Sequence, residues 1–296
     1  MMAEASIPVD LFNPGQVFAC LGFLEAADVL LGNAEGGFDW RNEEHATFML
    51  RAGGERNPIE TVLEFLVESK VKVIHPKNVV GPWPEGSTPS TVFPAPLGEL
   101  LKSDKKGYTP NALPFVLTDG YQQLYVSNWL GGDGRGALKL FAGNQVAAQL
   151  VSNLLNGKDK ALGLRQVLPR MRGEGFQHPF AITGAVGGRF GYDSRGAWDA
   201  IRLGTSLDKQ GVLIEVAPHV EILAVLGLEH ARPEFRGNYE ICYSVWSQVF
   251  PVTLARAALT RAHLLLPADQ YRVFRAGLGD DQQYKKCFPA QEELHA

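Results

Sequence analysis

The chain has three cysteines in 296 residues, Cys20, Cys242 and Cys287. An odd number spread this widely supplies no disulfide framework, so a reducing compartment fits. Burial is the expected role of Cys20 and Cys242. No stretch approaches 18 uninterrupted apolar residues, so no membrane-spanning helix is expected. The N-terminus lacks a basic region ahead of an apolar one, and Glu4 and Asp10 stand where a signal peptide would carry Lys or Arg. These absences lead to the expectation of a soluble, cytoplasmic protein without a membrane partner.

Signatures of several enzyme classes are also missing. No Gly-Lys-Ser or Gly-Lys-Thr occurs, which removes the phosphate-loop reading. No Gly-x-Ser-x-Gly elbow is present. His219-Val220-Glu221 matches the first half of a zinc deaminase signature, but the Pro-Cys-x-x-Cys half is absent. The seven histidines form no metal-ligand spacing with the cysteines. Glu229-His230 could act as an acid–base pair or be an ordinary core or interface histidine. The expectation is a protein that is not an enzyme and holds neither metal nor cofactor.

What is present is a core-forming composition, 45% hydrophobic and 20% charged. With 32 glycines and 18 prolines, many turns should interrupt the regular elements. The net charge of −4 conceals an asymmetry. Residues 131–210 carry 11 basic and 6 acidic side chains, +5, and the remainder carries 17 basic and 26 acidic, −9. A basic middle in an acidic chain suits a phosphate backbone, and it is equally the pattern of an uneven solvated surface.

Strands are expected at residues 6–11, 38–40, 46–50, 71–74, 212–216, 239–245 and 271–275. Asn13-Pro14 starts a helix, because Asn caps free amides and Pro presets the first helical φ. Val17, Leu21, Leu24 and Leu31 continue it, and Asn57-Pro58 repeats the signal. Residues 76–114 read as a Pro-rich loop with a short helix near 97–101, followed by a hairpin of 115–118 and 124–129 turning at Asp119-Gly120. A helix is expected over 137–156, others over 197–203, 218–226 and 251–262, and a glycine-rich loop over 184–191. The mixture is α+β, with mixed or antiparallel sheets and packed helices. It reads as a single large domain or as two closely packed lobes, 1–130 and 131–296, the second holding the basic middle and a C-terminal α/β part.

Candidate binding residues lie in that middle. The loop Gly132-x-Gly134-x-Gly136, with Arg135 inside it, lets backbone amides approach a phosphate. It also serves as a tight strand-to-helix connection. On the following helix Gln145, Gln149 and Ser152 share a polar face, with Asn144 beside it and Lys139 near its start. Amides can pair with adenine edges and Lys can neutralise phosphate, although the same face would simply be solvated. Arg165, Arg170 and Arg172 form one arginine cluster, and Arg189 and Arg195 form another. The planar guanidinium fork suits phosphate.

Four segments together resemble a known family. They are Asn13-Pro14-Gly15-Gln16-Val17-Phe18-Ala19-Cys20-Leu21-Gly22 with Glu25, and Lys139-Leu140-Phe141-Ala142-Gly143-Asn144-Gln145. The third is Phe190-Gly191-Tyr192-Asp193-Ser194-Arg195 with Trp198-Asp199-Ala200 and Gly204. The fourth is Pro218-His219-Val220-Glu221-Ile222-Leu223-Ala224 with Gly227-Leu228 and Arg232-Pro233. In this order they resemble a Cas protein of type I-U (also called I-G) CRISPR systems.

The resemblance implies the large subunit of a Cascade-type surveillance complex. Its partners would be the guide-RNA backbone and end-capping Cas subunits, crRNA, target double-stranded DNA and a helicase–nuclease. Such a subunit reads the motif flanking the target and helps open the duplex. The chain is short for one, so either a helical portion is missing or a separate small subunit supplies it. Two other classes stay open on the residues alone. One is a small-molecule enzyme binding a nucleotide or phosphate at the glycine-rich loop. The other is a purely architectural assembly subunit.

Overall fold

A computed structural model describes residues 1–41, 46–77, 87–90, 113–127, 138–141, 145–186, 188–197, 214–237, 239–279 and 286–293. The chain opens on strand β1 (Met2–Pro8), helix α1 (Pro14–Leu31), β2 (Glu35–Asp39) and β3 (Thr47–Gly53). β3 pairs antiparallel with both β1 and β2, so α1 crosses over β3 in a split βαβ unit. Helix α2 (Pro58–Glu68) and β4 (Lys70–Pro76) follow. β4 runs parallel to β5 (Thr88–Ser90) and antiparallel to β6 (Phe115–Thr118), which forms a hairpin with β7 (Gln123–Val126).

Helices α3 (Ala147–Asn156) and α4 (Leu164–Gly173) come next, then a two-stranded ribbon of β8 (Gly184–Val186) and β9 (Ile214–Val216). Helix α5 (Pro218–Gly227) precedes β10 (Glu234–Phe235), β11 (Glu240–Trp246), β12 (Phe250–Pro251), helix α6 (Val252–Arg261), β13 (Tyr271–Gly277) and β14 (Gln291–Glu293). The sheets are ordered β1-β3-β2-β12, β5-β4-β6-β7, β10-β11-β13-β14 and β8-β9. Four sheets, mixed or antiparallel and none closed, with six helices among the described residues, make an α+β fold.

α1 is the centre of the core. Its start is the one its sequence encodes: the Asn13 side-chain oxygen accepts the Gly15 N–H at 3.1 Å, and Pro14 takes the first helical position. Every residue from Pro14 to Ala27 is buried, so the helix has no solvated stripe. It has the length and apolarity to cross a membrane, and here it is mostly enclosed by the rest of the chain, as a core helix is. α5 is equally enclosed, with every residue buried. The two helices cross at glycines. A Cβ on Gly22 would stand 2.0 Å from the Leu223 carbonyl oxygen, and one on Gly227 would stand 2.1 Å from that of Phe18. Backbones this close exclude any side chain at the crossing.

Residues before and after position 130 share this core. β12 extends the N-terminal sheet by pairing with β2. The indole N–H of Trp246 donates to the Gly36 carbonyl at 3.1 Å, and its ring meets Phe38 edge-on at 5.2 Å. Arg256 of α6 holds Glu25 of α1 through two 2.6 Å bonds.

Several expected elements differ. The helix expected over 137–156 is found at Ala147–Asn156, and residues 138–141 are not helical. Leu138 and Leu140 are both buried two residues apart, the period of extended chain rather than helix. The expected glycine-rich loop at 184–191 begins as strand β8. α4 was not expected, since Pro169 stands inside it, although Leu164, Val167, Leu168 and Met171 keep the helical period and Pro169 lies off that stripe. The short helix near 97–101 and the continuation of the helix expected over 197–203 lie outside the described residues.

Candidate functional site

Three of the four segments singled out in the sequence meet at one buried polar junction, and the fourth packs on it. Asn13 at the head of α1 donates through Nδ2 to Asp193 Oδ1 at 2.9 Å and accepts the Ser194 N–H at 3.1 Å. Glu221 in the first turn of α5 accepts the backbone N–H groups of Gly191 at 2.8 Å and Asp193 at 2.9 Å. The Tyr192 hydroxyl donates to the Leu138 carbonyl at 2.7 Å, and Phe141 meets Phe190 edge-on at 5.5 Å. The turn at 190–195 is thus pinned from below by α5, from one side by α1 and from another by residues 138–141.

Arg195 closes the junction. Its Nε and Nη2 groups both donate to the Asp193 carboxylate, and Nη1 donates to the Phe180 carbonyl at 2.7 Å. Burial by itself would raise the Asp193 carboxyl. Arg195, Asn13 and the Ala217 N–H outweigh that and hold it below its ordinary value. Burial raises Glu221, against the pull of the Asp193 and Gly191 amides and of Arg189. His219 is wholly buried, stacks on Phe180 at 6.0 Å, and has no hydrogen-bond partner at either ring nitrogen among the described residues. Burial, with Arg195 nearby, lowers it to about 3, so it is neutral at physiological pH.

On its outer side Arg195 faces a cleft of about 610 Å³. The cleft is also lined by Asp10, Phe12, Trp40, His178, Phe180 and Arg272. The Arg272 guanidinium lies over the Trp40 ring, 5.3 Å from its centroid, and approaches Glu292 at 3.6 Å.

The other candidate residues are dispersed. Arg135 and Asn144 lie outside the described residues, as does the loop 131–136. Gln145 precedes α3 instead of riding on it, so it is not one helical turn from Gln149. Gln149 is exposed and donates to Asn153 Oδ1 at 2.9 Å. Lys139 sits over the Phe141 ring at 4.7 Å, and Arg189 acts electrostatically on Glu221.

The arginines of α4 divide by helical angle. At about 100° per residue Arg172 falls about 20° from Arg165, whereas Arg170 lies about 140° away. Arg165 donates to the Val67 carbonyl at 2.8 Å and the Ser69 carbonyl at 3.1 Å, covering the C-terminus of α2. Arg172 pairs with Glu64 of the same helix. Arg170, on the other side, is exposed, as are Lys158 and Lys160 in the turn between α3 and α4. Both Glu229 oxygens are engaged by Ser127, at 2.6 Å from its amide and its hydroxyl, while His230 is exposed.

Sequence reasoning left Phe12, Trp40, His178 and Arg272 without a role. They come from four separate stretches and carry no local signal. Asn13, Asp193 and Glu221 lay within the quoted segments. Polar residues set in apolar runs were the available clue to their burial. No family model, curated protein or solved structure matches the chain.

Proposed function

We propose that the chain is a non-catalytic, cytoplasmic subunit of a CRISPR RNA-guided surveillance complex. It binds target DNA, contributes to recognition of the flanking motif and helps recruit the helicase–nuclease. The observation that carries this reading is the junction itself. The segments that resemble the Cas family are scattered over more than two hundred residues of sequence, and they interlock through Asn13, Asp193, Glu221 and Tyr192. Their side chains are committed to backbone groups and to one another, which is the work of a scaffold. A shared pattern of this kind describes a common fold more than a common reaction.

A second feature favours nucleic acid. Within the basic middle of the sequence, Lys158, Lys160 and Arg170 are exposed around the α3–α4 turn and its following helix. Such groups suit contacts to a phosphate backbone, which position a duplex without reading it. The test is assembly. Co-expressed with candidate backbone and end-capping subunits and a guide RNA, the chain is expected to co-purify at fixed stoichiometry in an RNA-dependent manner. Elution as a free protein, with the guide complex complete without it, would contradict the reading.

A further inference from the structure

The cleft beside Arg195 has no task in the reading above. Its volume of about 610 Å³ lies in the range of small-molecule sites, about 300–1,000 Å³. Part of its lining is π surface. Phe12 remains 48% exposed although its ring packs edge-on against Phe274 at 5.3 Å. Trp40 contributes an indole already stacked with a guanidinium.

Another part is positive charge held in position. Arg195 is clamped by a carboxylate with no exposed surface and by the Phe180 carbonyl, while 30% of its own side chain stays exposed. Its remaining N–H groups are therefore pre-oriented and need little ordering when a ligand arrives. Arg272 approaches Glu292 loosely, at 3.6 Å, and is 39% exposed.

Aromatic surface together with two guanidinium groups is the chemistry of a nucleotide. Bases stack on aromatic rings irrespective of sequence, and guanidinium forks take phosphate oxygens. A simple carboxylate would leave the rings unused, and an apolar ligand would desolvate the exposed parts of both guanidinium groups without offering them acceptors. We propose that this cleft holds one unpaired nucleotide of a nucleic-acid strand, with its base on Phe12 and Trp40 and its phosphate on Arg195 and Arg272. This rests on the nucleic-acid reading above and narrows one contact to single-stranded chain.

The test is binding of a short labelled oligothymidylate to the full chain, with a blunt duplex and free thymidine monophosphate as competitors. Trp40→Leu and Arg272→Gln are the cleft variants. Arg51→Gln, which loosens only a surface pair with Glu4 and does not line the cleft, is the control, and Arg170→Ala reports on the phosphate contact proposed above. Arg195 is left intact, because its removal would strand the buried Asp193 charge. The single strand is expected to compete better than the duplex, and each cleft variant to weaken its binding about tenfold. Should Trp40→Leu fail to fold, Arg272→Gln decides.

Unchanged affinity in folded cleft variants, with Arg170→Ala weaker, would overturn the cleft assignment and leave the nucleic-acid reading standing. Saturation by thymidine monophosphate without oligothymidylate binding would overturn it in favour of a small-molecule site. No binding of either would also overturn it, and target binding by the assembled complex would then report on the wider reading independently.

Discussion

Asn13 and Asp193, 180 residues apart in the chain, share a 2.9 Å hydrogen bond between fully buried side chains. Asp193 is also the carboxylate that fixes Arg195. Asp193→Ala leaves the guanidinium and the Asn13 amide without their acceptor, and should cost about 3 kcal/mol at neutral pH. Its folded pKa is depressed, so its contribution is complete above about 3.9, the ordinary carboxylate value, and is lost as pH falls below it. Urea midpoints of the two proteins should differ by a constant amount at neutral and mildly acid pH and draw together only as pH falls below the ordinary carboxylate value.

His219 works on a different pH window. It titrates at about 3 in the fold and at about 6.5 when unfolded. The unfolded chain therefore binds the extra proton between those values, and stability falls as pH drops through them. The slope approaches 1.4 kcal/mol per pH unit, roughly. His219→Leu should remove that slope while leaving stability at pH 7 within about 1 kcal/mol of the parent, since neither ring nitrogen makes a full hydrogen bond among the described residues. An unaltered slope would show that the ring is protonated in the fold.

The α1–α5 crossing makes a steric prediction. Gly22→Ala places a methyl 2.0 Å from the Leu223 carbonyl and should destabilise by about 3 kcal/mol as the helices part. Gly173→Ala, at the end of α4 with nothing within 4 Å of its added Cβ, serves as the comparison. It should be neutral or stabilising by up to about 1 kcal/mol. Thermal unfolding of the two variants reads both effects.

The division of the α4 arginines predicts opposite phenotypes. Arg165→Ala should lower the unfolding midpoint, because it uncaps the end of α2. It should leave the salt dependence of target binding by the complex unchanged. Arg170→Ala should do the reverse, with the log–log salt slope shallower by about one unit if it meets one phosphate. A salt slope that responds to Arg165 instead would place the DNA surface on the α2 side of the helix.

Local signals in the sequence carried the α+β class and most helix starts. Asn13-Pro14 and Asn57-Pro58 each produce a capped helix, because the cap is made by neighbours in the chain. The hairpin of β6 and β7 follows from Asp119-Gly120 for the same reason. The site was less legible. Arg165, Arg170 and Arg172 look equivalent in a row of letters, and their division depends on where α2 lies. Gln145 and Gln149 shared a face only while the helix was taken to begin at residue 137. The cleft was not legible, since Phe12, Trp40, His178 and Arg272 are brought together by packing between sheets and helices rather than by spacing.

Target binding by the reconstituted guide-RNA complex, measured with and without this chain at one fixed salt concentration, tests the central claim most directly. The account predicts that omitting the chain weakens binding to a guide-matched duplex and abolishes the preference for one flanking sequence over a scrambled one. Adding the chain back should restore both. Equal affinity and undiminished flank preference without the chain would contradict it.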